Sequence, residues 1–125
     1  MMEFFKCPRC GNIITFLHWS GVTPICCGET MQKISENTVD AAHEKHVPFV
    51  TREGNKLHVQ IGSVEHPMID VHYIEWIIVE YQNGYQIKYL HPNEEPKADF
   101  VLPENSGEIK VYEYCNIHGL WSVKA

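Results

Sequence analysis

The chain has 125 residues, of which 16 are acidic and 10 are basic, so its formal net charge is −6 at pH 7. No cluster of Lys or Arg interrupts this negative balance, which argues against nucleic acid as a partner. No apolar run approaches the ~18 residues that a membrane-spanning helix requires, so we expect a soluble protein that makes no membrane contact.

The cysteines are distributed unevenly along the chain. Cys7, Cys10, Cys26 and Cys27 lie in the first quarter, and only Cys115 lies near the end. An odd number of cysteines without a signal peptide argues against a secreted disulfide framework and favours thiolates that bind metal in a reducing compartment. We therefore expect a cytoplasmic protein. The 8 histidines add to the expectation of metal, because Cys and His are enriched together.

Residues 1–36 are predicted to form a small, turn-rich first domain. The strings Cys7–Gly11 and Cys26–Gly28 bracket a short hairpin-like segment, Ile13–Trp19. A unit of this size buries too little apolar surface to offset its chain entropy, and a bound metal is the usual remedy.

The first four cysteines predict a metal site with an unusual second half. Cys7 and Cys10 form a Cys-x-x-Cys loop in which backbone amides can point at the sulfurs, whereas Cys26 and Cys27 are adjacent. Adjacent residues reach one metal only if the local backbone bends, so we expect a distorted site. Four thiolates suit zinc or iron. These residues alone leave zinc, iron and, less favoured in a reducing compartment, disulfide pairing open.

Residues 37–125 are predicted to form a second, all-β domain. In His72–Tyr81, alternation places Ile77 on one face of a strand and Ile74 with Trp76 on the other. Asn83-Gly84 after this strand favours the positive φ angles of a tight hairpin turn. No stretch shows helical periodicity over ten residues, so we expect an antiparallel sandwich or barrel. The other predicted strands are Leu57–Gly62, Tyr85–Leu90, Ala98–Leu102, Glu108–Cys115 and Gly119–Val123.

A second metal site is predicted around Cys115 and His118, at the end of a strand and on the turn after it. The thiolate can accept hydrogen bonds from the following backbone amides. The alternative is a buried free thiol beside an unrelated histidine. His66 and His72 are further donors, but on a straight strand they would lie ~20 Å apart. They can share a metal only if the chain folds back between them, as Pro67 permits.

The remaining histidines and the tryptophans carry no metal motif. The string His43–His46 has one residue too few between its histidines for a zinc-protease helix. We expect surface or partly buried imidazoles at His18, His43, His58 and His91. Trp19, Trp76 and Trp121 are expected to be core or rim aromatics rather than electron relays.

Several strings spread over nearly the whole chain resemble one family, the superoxide reductases of the desulfoferrodoxin type. Each string alone is weak, but together they are specific. They are the cluster Cys7–Cys27 with its adjacent pair, Asn37–Ala42 running into Glu44–Pro48, Glu65–Met68, His72–Trp76, and Cys115–Trp121.

The resemblance implies a rubredoxin-like (desulforedoxin-like) N-terminal domain followed by an immunoglobulin-like antiparallel β-sandwich. It also implies an oxidoreductase that converts superoxide to hydrogen peroxide without releasing dioxygen, receives electrons from a rubredoxin-type or other small donor, and forms a homodimer. One iron would be held by Cys7, Cys10, Cys26 and Cys27, and the catalytic iron by His46, His66, His72 and His118 with Cys115 as the axial ligand.

Two charged residues lie beside His46. In a chain of negative net charge, Lys45 is the candidate cation that would attract superoxide and hold a proton-donating water, and Glu44 resembles the family carboxylate that displaces the product after turnover. For each of them, a solvent-facing surface charge is the simpler interpretation. Two other functions stay open at this point: a binding module stabilised by metal at both clusters, and a dismutase, which oxidises superoxide as well as reducing it.

Overall fold

The computed structural model describes residues 2–125, which form twelve β-strands and one four-residue helix. The prediction of an all-β protein is therefore confirmed. The chain divides into two units, the first ending at Ser35 and the second spanning Glu36–Ala125, and the sequence had placed this boundary after Glu36. No helix among the described residues is long and apolar enough to cross a membrane.

The first unit is built on very short strands. Strand β1 (Phe4–Lys6) lies between β2 (Ile13–Thr15) and β5 (Gln32–Lys33) in an antiparallel sheet, and β3 (Ile25–Cys26) pairs with β4 (Glu29–Thr30). One buried cluster of this unit consists of Phe5, Cys7 and Met31, with Ile14, Phe16 and Cys26 packed against it. Such a small core agrees with the expected need for a stabilising metal.

The strands of the second unit are Pro48–Glu53 (β6), Lys56–Ile61 (β7), Ile74–Tyr81 (β8), Gly84–Tyr89 (β9), Lys97–Val101 (β10), Lys110–Cys115 (β11) and Gly119–Lys124 (β12). They form two antiparallel sheets, one with the order β10-β7-β6 and the other with the order β12-β11-β8-β9. The predicted sandwich is therefore confirmed. A short helix, α1 (His43–His46), precedes the first strand. Strand β6 was not among the strands predicted from the sequence.

Strand β8 starts two residues later than predicted, at Ile74, so His72 lies in the preceding loop. The pairing of β8 with β11 shifts register between Tyr114 and Cys115. Because of this irregularity Ile74 packs in the main core cluster together with Ile77, and the prediction that Ile74 shares the opposite face with Trp76 is wrong.

The hairpin between β8 and β9 also differs from the prediction. Tyr81 pairs with Gly84, so the two turn residues are Gln82 and Asn83, and neither Asn83 nor Gly84 has a positive φ. The amide of Gln82 donates a hydrogen bond of 2.7 Å to the carbonyl oxygen of Ser106. This bond to a neighbouring loop, which the local sequence does not reveal, holds the turn one residue earlier than expected.

Candidate metal centres

The four N-terminal cysteines form one cluster. Their sulfur atoms all lie within 4.8 Å of one another, and the sulfurs of Cys10 and Cys26 are 3.6 Å apart. All five cysteines of the chain are free thiols, so the disulfide alternative does not describe this structure. Four sulfurs around one tetrahedral ion, each ~2.3 Å from it, would lie ~3.8 Å apart, so the cluster has the right size for a single metal.

The thiols in the two halves of the cluster differ in pKa. The amides of Cys10 and Arg9 each lie 3.4 Å from the sulfur of Cys7, and the amide of Cys10 contributes most to lowering the pKa of this thiol to about 6. Hydrogen bonds with the sulfurs of Cys7 and Cys10 raise the pKa of Cys26 to about 12. Four thiolates therefore coexist here only with a cation among them.

The expected bend between the adjacent cysteines is confirmed. Cys27 has a φ of 53°, in the left-handed region that residues with a side chain rarely adopt, and Gly28 follows with a φ of 76°. Because of this turn, the sulfurs of Cys26 and Cys27 both reach the same cluster although the residues are neighbours in sequence.

The second cluster joins residues from three separate parts of the chain. One ring nitrogen from each of His46, His66 and His72 and the sulfur of Cys115 all lie within 4.8 Å of one another. His118 completes the set, because its Nδ1 atom lies 3.0 Å from Nε2 of His46 and 4.0 Å from the sulfur of Cys115. The structure thus brings together all five side chains that the resemblance assigned to the second iron.

Backbone carbonyl groups fix the orientation of two of the rings. Nδ1 of His46 lies 2.7 Å from the carbonyl oxygen of Ala42, and Nδ1 of His66 lies 2.6 Å from that of Pro67. Each Nδ1 must carry the proton, so the two Nε2 atoms, 3.3 Å apart, face each other with lone pairs. Nε2 of His72 is buried without a hydrogen-bond partner among residues 2–125. A cation between these nitrogens would remove the repulsion between the facing lone pairs and would give Nε2 of His72 a partner.

The protonation of the cluster also suits metal binding. Burial lowers the pKa of His66 to about 4 and lowers the pKa values of His46 and His72. Neutral imidazoles are the form that binds a metal. Burial raises the pKa of Cys115, whereas the amides of His118 and Ile117 lower it. The predicted amide contact is confirmed, since the His118 amide lies 3.4 Å from the sulfur. A thiolate in this buried place therefore needs a nearby cation.

The loop between His66 and His72 folds back, as a shared site requires. Ile69 and His72 form an isolated antiparallel bridge with two backbone hydrogen bonds of 3.0 Å. The reversal brings the two rings to 4.7 Å between their centroids. The prediction that the chain turns between these histidines is therefore confirmed.

Asn116 and Trp121 hold parts of the centre in position, a role that was not predicted for either residue from the sequence. Asn116 accepts a hydrogen bond from the amide of Tyr73 at 2.9 Å and donates one to the carbonyl oxygen of Val71 at 3.0 Å, so it grips the backbone on both sides of His72. Trp121 stacks on the ring of His46 and donates its indole N–H to the carbonyl oxygen of His118 at 3.0 Å. Their places inside the Cys115–Trp121 string were the only signal in the sequence.

The predicted catalytic pair, the histidines without a metal motif and the other tryptophans lie at the following places in the structure. Glu44 and Lys45 are exposed on α1, directly before the buried His46. Away from the centre, His58 lies beside Asp99 and His91 beside Glu94, and His18 is exposed. His43 contacts the edge of Trp121, while Trp19 stacks on Phe16 and Trp76 on Tyr114.

Comparisons with known proteins agree with this geometry. Residues 1–34 match the family model described as desulfoferrodoxin, N-terminal domain, and residues 38–124 match the one described as desulfoferrodoxin. A desulfoferrodoxin homolog of Archaeoglobus fulgidus is 46% identical over 97% of this chain and 95% of its own length. The desulfoferrodoxin of Nitratidesulfovibrio vulgaris is 42% identical over 98% of this chain and 96% of its own length.

A solved structure extends the likeness to the fold of the whole chain. The crystal structure of the superoxide reductase from Treponema pallidum has a TM-score of 0.81 and 35% identity, and the match covers 99% of both chains. Proteins of the desulfoferrodoxin family bind two irons, and the present chain carries a donor set for each: four cysteines in the first unit and the His/Cys cluster in the second. Together, the two family models, the relatives and the paired donor sets show that the chain belongs to the desulfoferrodoxin family.

Proposed function

We propose that this protein is a superoxide reductase, in which one superoxide anion, one electron and two protons give one hydrogen peroxide and no dioxygen. The observation that carries the proposal is the convergence of four imidazoles and one thiolate on a single buried place. The likeness to the Treponema pallidum superoxide reductase over 99% of the chain supports it.

The two donor sets would hold one iron each. The cysteines Cys7, Cys10, Cys26 and Cys27 would bind the first, and His46, His66, His72, His118 and Cys115 would bind the second. When bound, a ferrous ion in the second centre supplies the electron that superoxide receives. The backbone carbonyls behind His46 and His66 keep their rings in the orientation that presents Nε2, and the amides near Cys115 favour its thiolate form.

Lys45 supplies the local attraction for an anionic substrate. The chain as a whole is negative, so superoxide needs a cation near the centre. After burial and the charge of His118, the charge of Lys45 is a further cause of the lowered pKa of His72, so the field of this side chain reaches the cluster. Lys45 attracts superoxide and holds a proton-donating water at Nζ, and the neighbouring carboxylate of Glu44 competes with the product for the centre.

The proposal extends to partners and location. A rubredoxin-type or other small protein would supply electrons, and the free thiols fit a reducing cytoplasm. A homodimer is supported by an apolar row on one face of edge strand β9, formed by the exposed side chains of Tyr85, Ile87 and Tyr89. Sedimentation of the iron-loaded protein tests the dimer, because a monomeric mass at micromolar concentration contradicts it.

The reaction itself is tested by adding superoxide to the iron-loaded, reduced protein and measuring hydrogen peroxide and dioxygen. One peroxide per superoxide without dioxygen from the reaction supports a reductase, whereas dioxygen release indicates a dismutase. A colourless zinc protein that does not react indicates the binding module. His118→Ala should slow the reaction at least about tenfold because it removes a donor, and His91→Ala, a matched change at an exposed histidine, should leave it unchanged.

A further inference from the structure

Gly62 follows strand β7 and lies against the backbone of helix α1. A Cβ atom built on Gly62 would lie 2.2 Å from the carbonyl oxygen of Glu44 and 2.6 Å from both C and Cα of Lys45. Real Cβ atoms essentially never come closer than 3.0 Å to such atoms, and backbone atoms cannot move aside as a flexible side chain does. Only a glycine therefore allows this approach.

The loop after Gly62 holds the same peptide group by hydrogen bonds. The carbonyl oxygen of Glu44 accepts the amide N–H of Val64 at 2.9 Å and the hydroxyl of Ser63 at 3.4 Å. The amide of His66 in turn donates to the carbonyl oxygen of Ile61 at 2.9 Å, which closes the loop. Residues 62–64 thus surround one peptide group of α1.

Unlike the backbone of α1, the side chains of Glu44 and Lys45 are not held by hydrogen bonds. Both residues are exposed, and neither side chain makes a hydrogen bond or ion pair within residues 2–125. The region around the centre that each charge can reach is consequently set by the backbone that carries the side chain. That backbone is the part of α1 that rests on Gly62.

We infer that Gly62 is a positioning residue for the charged pair Glu44 and Lys45: by lacking a Cβ, it lets the 62–64 loop hold their shared backbone at a fixed place beside His46. This inference rests on the proposed function, because it assigns Gly62 a role in bringing superoxide to the centre. The contact between Gly62 and the backbone of α1 is a property of the fold, so it can be tested without measuring the reaction with superoxide.

The test compares Gly62→Ala with Gly54→Ala in the iron-loaded protein. Gly54 has a φ of 61° and no atom within 4 Å of a built Cβ, so this control introduces strain at a positive φ without displacing a neighbour. Gly62→Ala should lower the second-order rate constant with superoxide about tenfold at low salt and flatten its dependence on ionic strength, as loss of electrostatic steering does. Gly54→Ala should change the rate constant less than twofold.

A double-mutant cycle separates positioning from general damage. If Gly62 acts through Lys45, then Gly62→Ala in a Lys45→Ile background should lower the rate constant less than twofold further. An equal loss in both backgrounds overturns the inference, and so does a wild-type rate and salt dependence in Gly62→Ala. Iron content is measured for every variant, so that lost metal is not mistaken for lost steering.

Hydrogen exchange gives a readout that does not depend on activity. The amide of Val64 should be protected at least about a hundredfold in the unmodified iron-loaded protein, and this protection should fall at least about tenfold in Gly62→Ala but not in Gly54→Ala. An unprotected Val64 amide in the unmodified protein overturns the inference, even if Gly62→Ala does not fold. If the unmodified protein fails to react with superoxide while Val64 behaves as expected, the proposed function is wrong and the contact stands.

Discussion

Nε2 of His46 lies 3.0 Å from Nδ1 of His118, although 72 positions separate these residues in the chain. The two histidines present different ring nitrogens to the centre. Nδ1 of His46 is engaged by the carbonyl oxygen of Ala42, so only its Nε2 is free. His118 lies on the tight turn after Cys115, whose sulfur its amide contacts, and this short connection directs Nδ1 inward. The backbone around each ligand therefore decides which nitrogen is available.

Asn116→Ala should weaken iron binding at the His/Cys centre by roughly 10- to 100-fold, the usual effect of losing a residue that orients a ligand. The reason is that Asn116 bonds the backbone at Tyr73 and Val71, on both sides of His72. Competition with a chelator, followed by iron analysis, measures the change. Asn83→Ala, at an exposed turn, serves as the control. Equal iron retention in the two variants would contradict the role of Asn116.

The contribution of His66 to the stability of the metal-free protein should decrease as the pH falls from about 6.5 to about 4. The pKa of His66 is lowered to about 4 in the folded protein, whereas it is ~6.5 when unfolded, so between these values the unfolded chain binds more protons. Across this range, protonation of His66 in the unfolded chain lowers the free energy of unfolding by up to ~3 kcal/mol, and none of this loss occurs above pH 6.5. Urea unfolding at several pH values should show that His66→Leu gains stability relative to the unmodified protein as the pH falls through this range, whereas His18→Gln, at an exposed histidine, should show no such change.

Glu113→Gln should stabilise the metal-free protein at alkaline pH. Glu113 is fully buried beside Ile77 and Trp121, and neither carboxylate oxygen has a hydrogen-bond partner among the described residues. Burial raises its pKa well above the usual value, so ionisation favours the unfolded chain as the pH rises above ~4.5.

The difference in unfolding free energy between Glu113→Gln and the unmodified protein should grow with pH, by at most ~1.4 kcal/mol per pH unit. Denaturant unfolding at pH 5 and pH 8 measures it. Glu108→Gln, at an exposed carboxylate, is the matched control and should show no such growth. A constant difference between the two pH values would mean that Glu113 is already charged in the fold.

Cys10→Ser should remove the first iron and spare the reaction of the second centre with superoxide. The two donor sets share no residue, and they belong to separate units of the chain. Iron analysis should show one iron lost per chain, with a rate constant within about twofold of the unmodified protein. Loss of the fast reaction while the second iron is still bound would show that the first centre is needed for it.

Much of this protein could be predicted from its sequence because the chemistry-bearing residues occur in short strings. The spacing of Cys7 and Cys10 and the adjacent Cys26 and Cys27 indicated candidate thiolate donors, and the resemblance of several strings to one family implied the full ligand sets. The alternation of apolar residues likewise predicted antiparallel strands, because side chains on a strand point alternately to its two faces. Both kinds of signal act over a few residues.

The tertiary structure decided what depends on distant contacts. The register shift at Cys115 changed the face of Ile74, and the bond from Gln82 to Ser106 moved the hairpin turn. The close approach of Gly62 to the Glu44 peptide is equally invisible in the sequence. The sequence by itself determined which candidate donors exist, because residue type and the strings shared with one family are local properties of the chain. Only the fold decided which ring nitrogen each histidine presents and what holds it there, because those contacts join segments far apart in the chain.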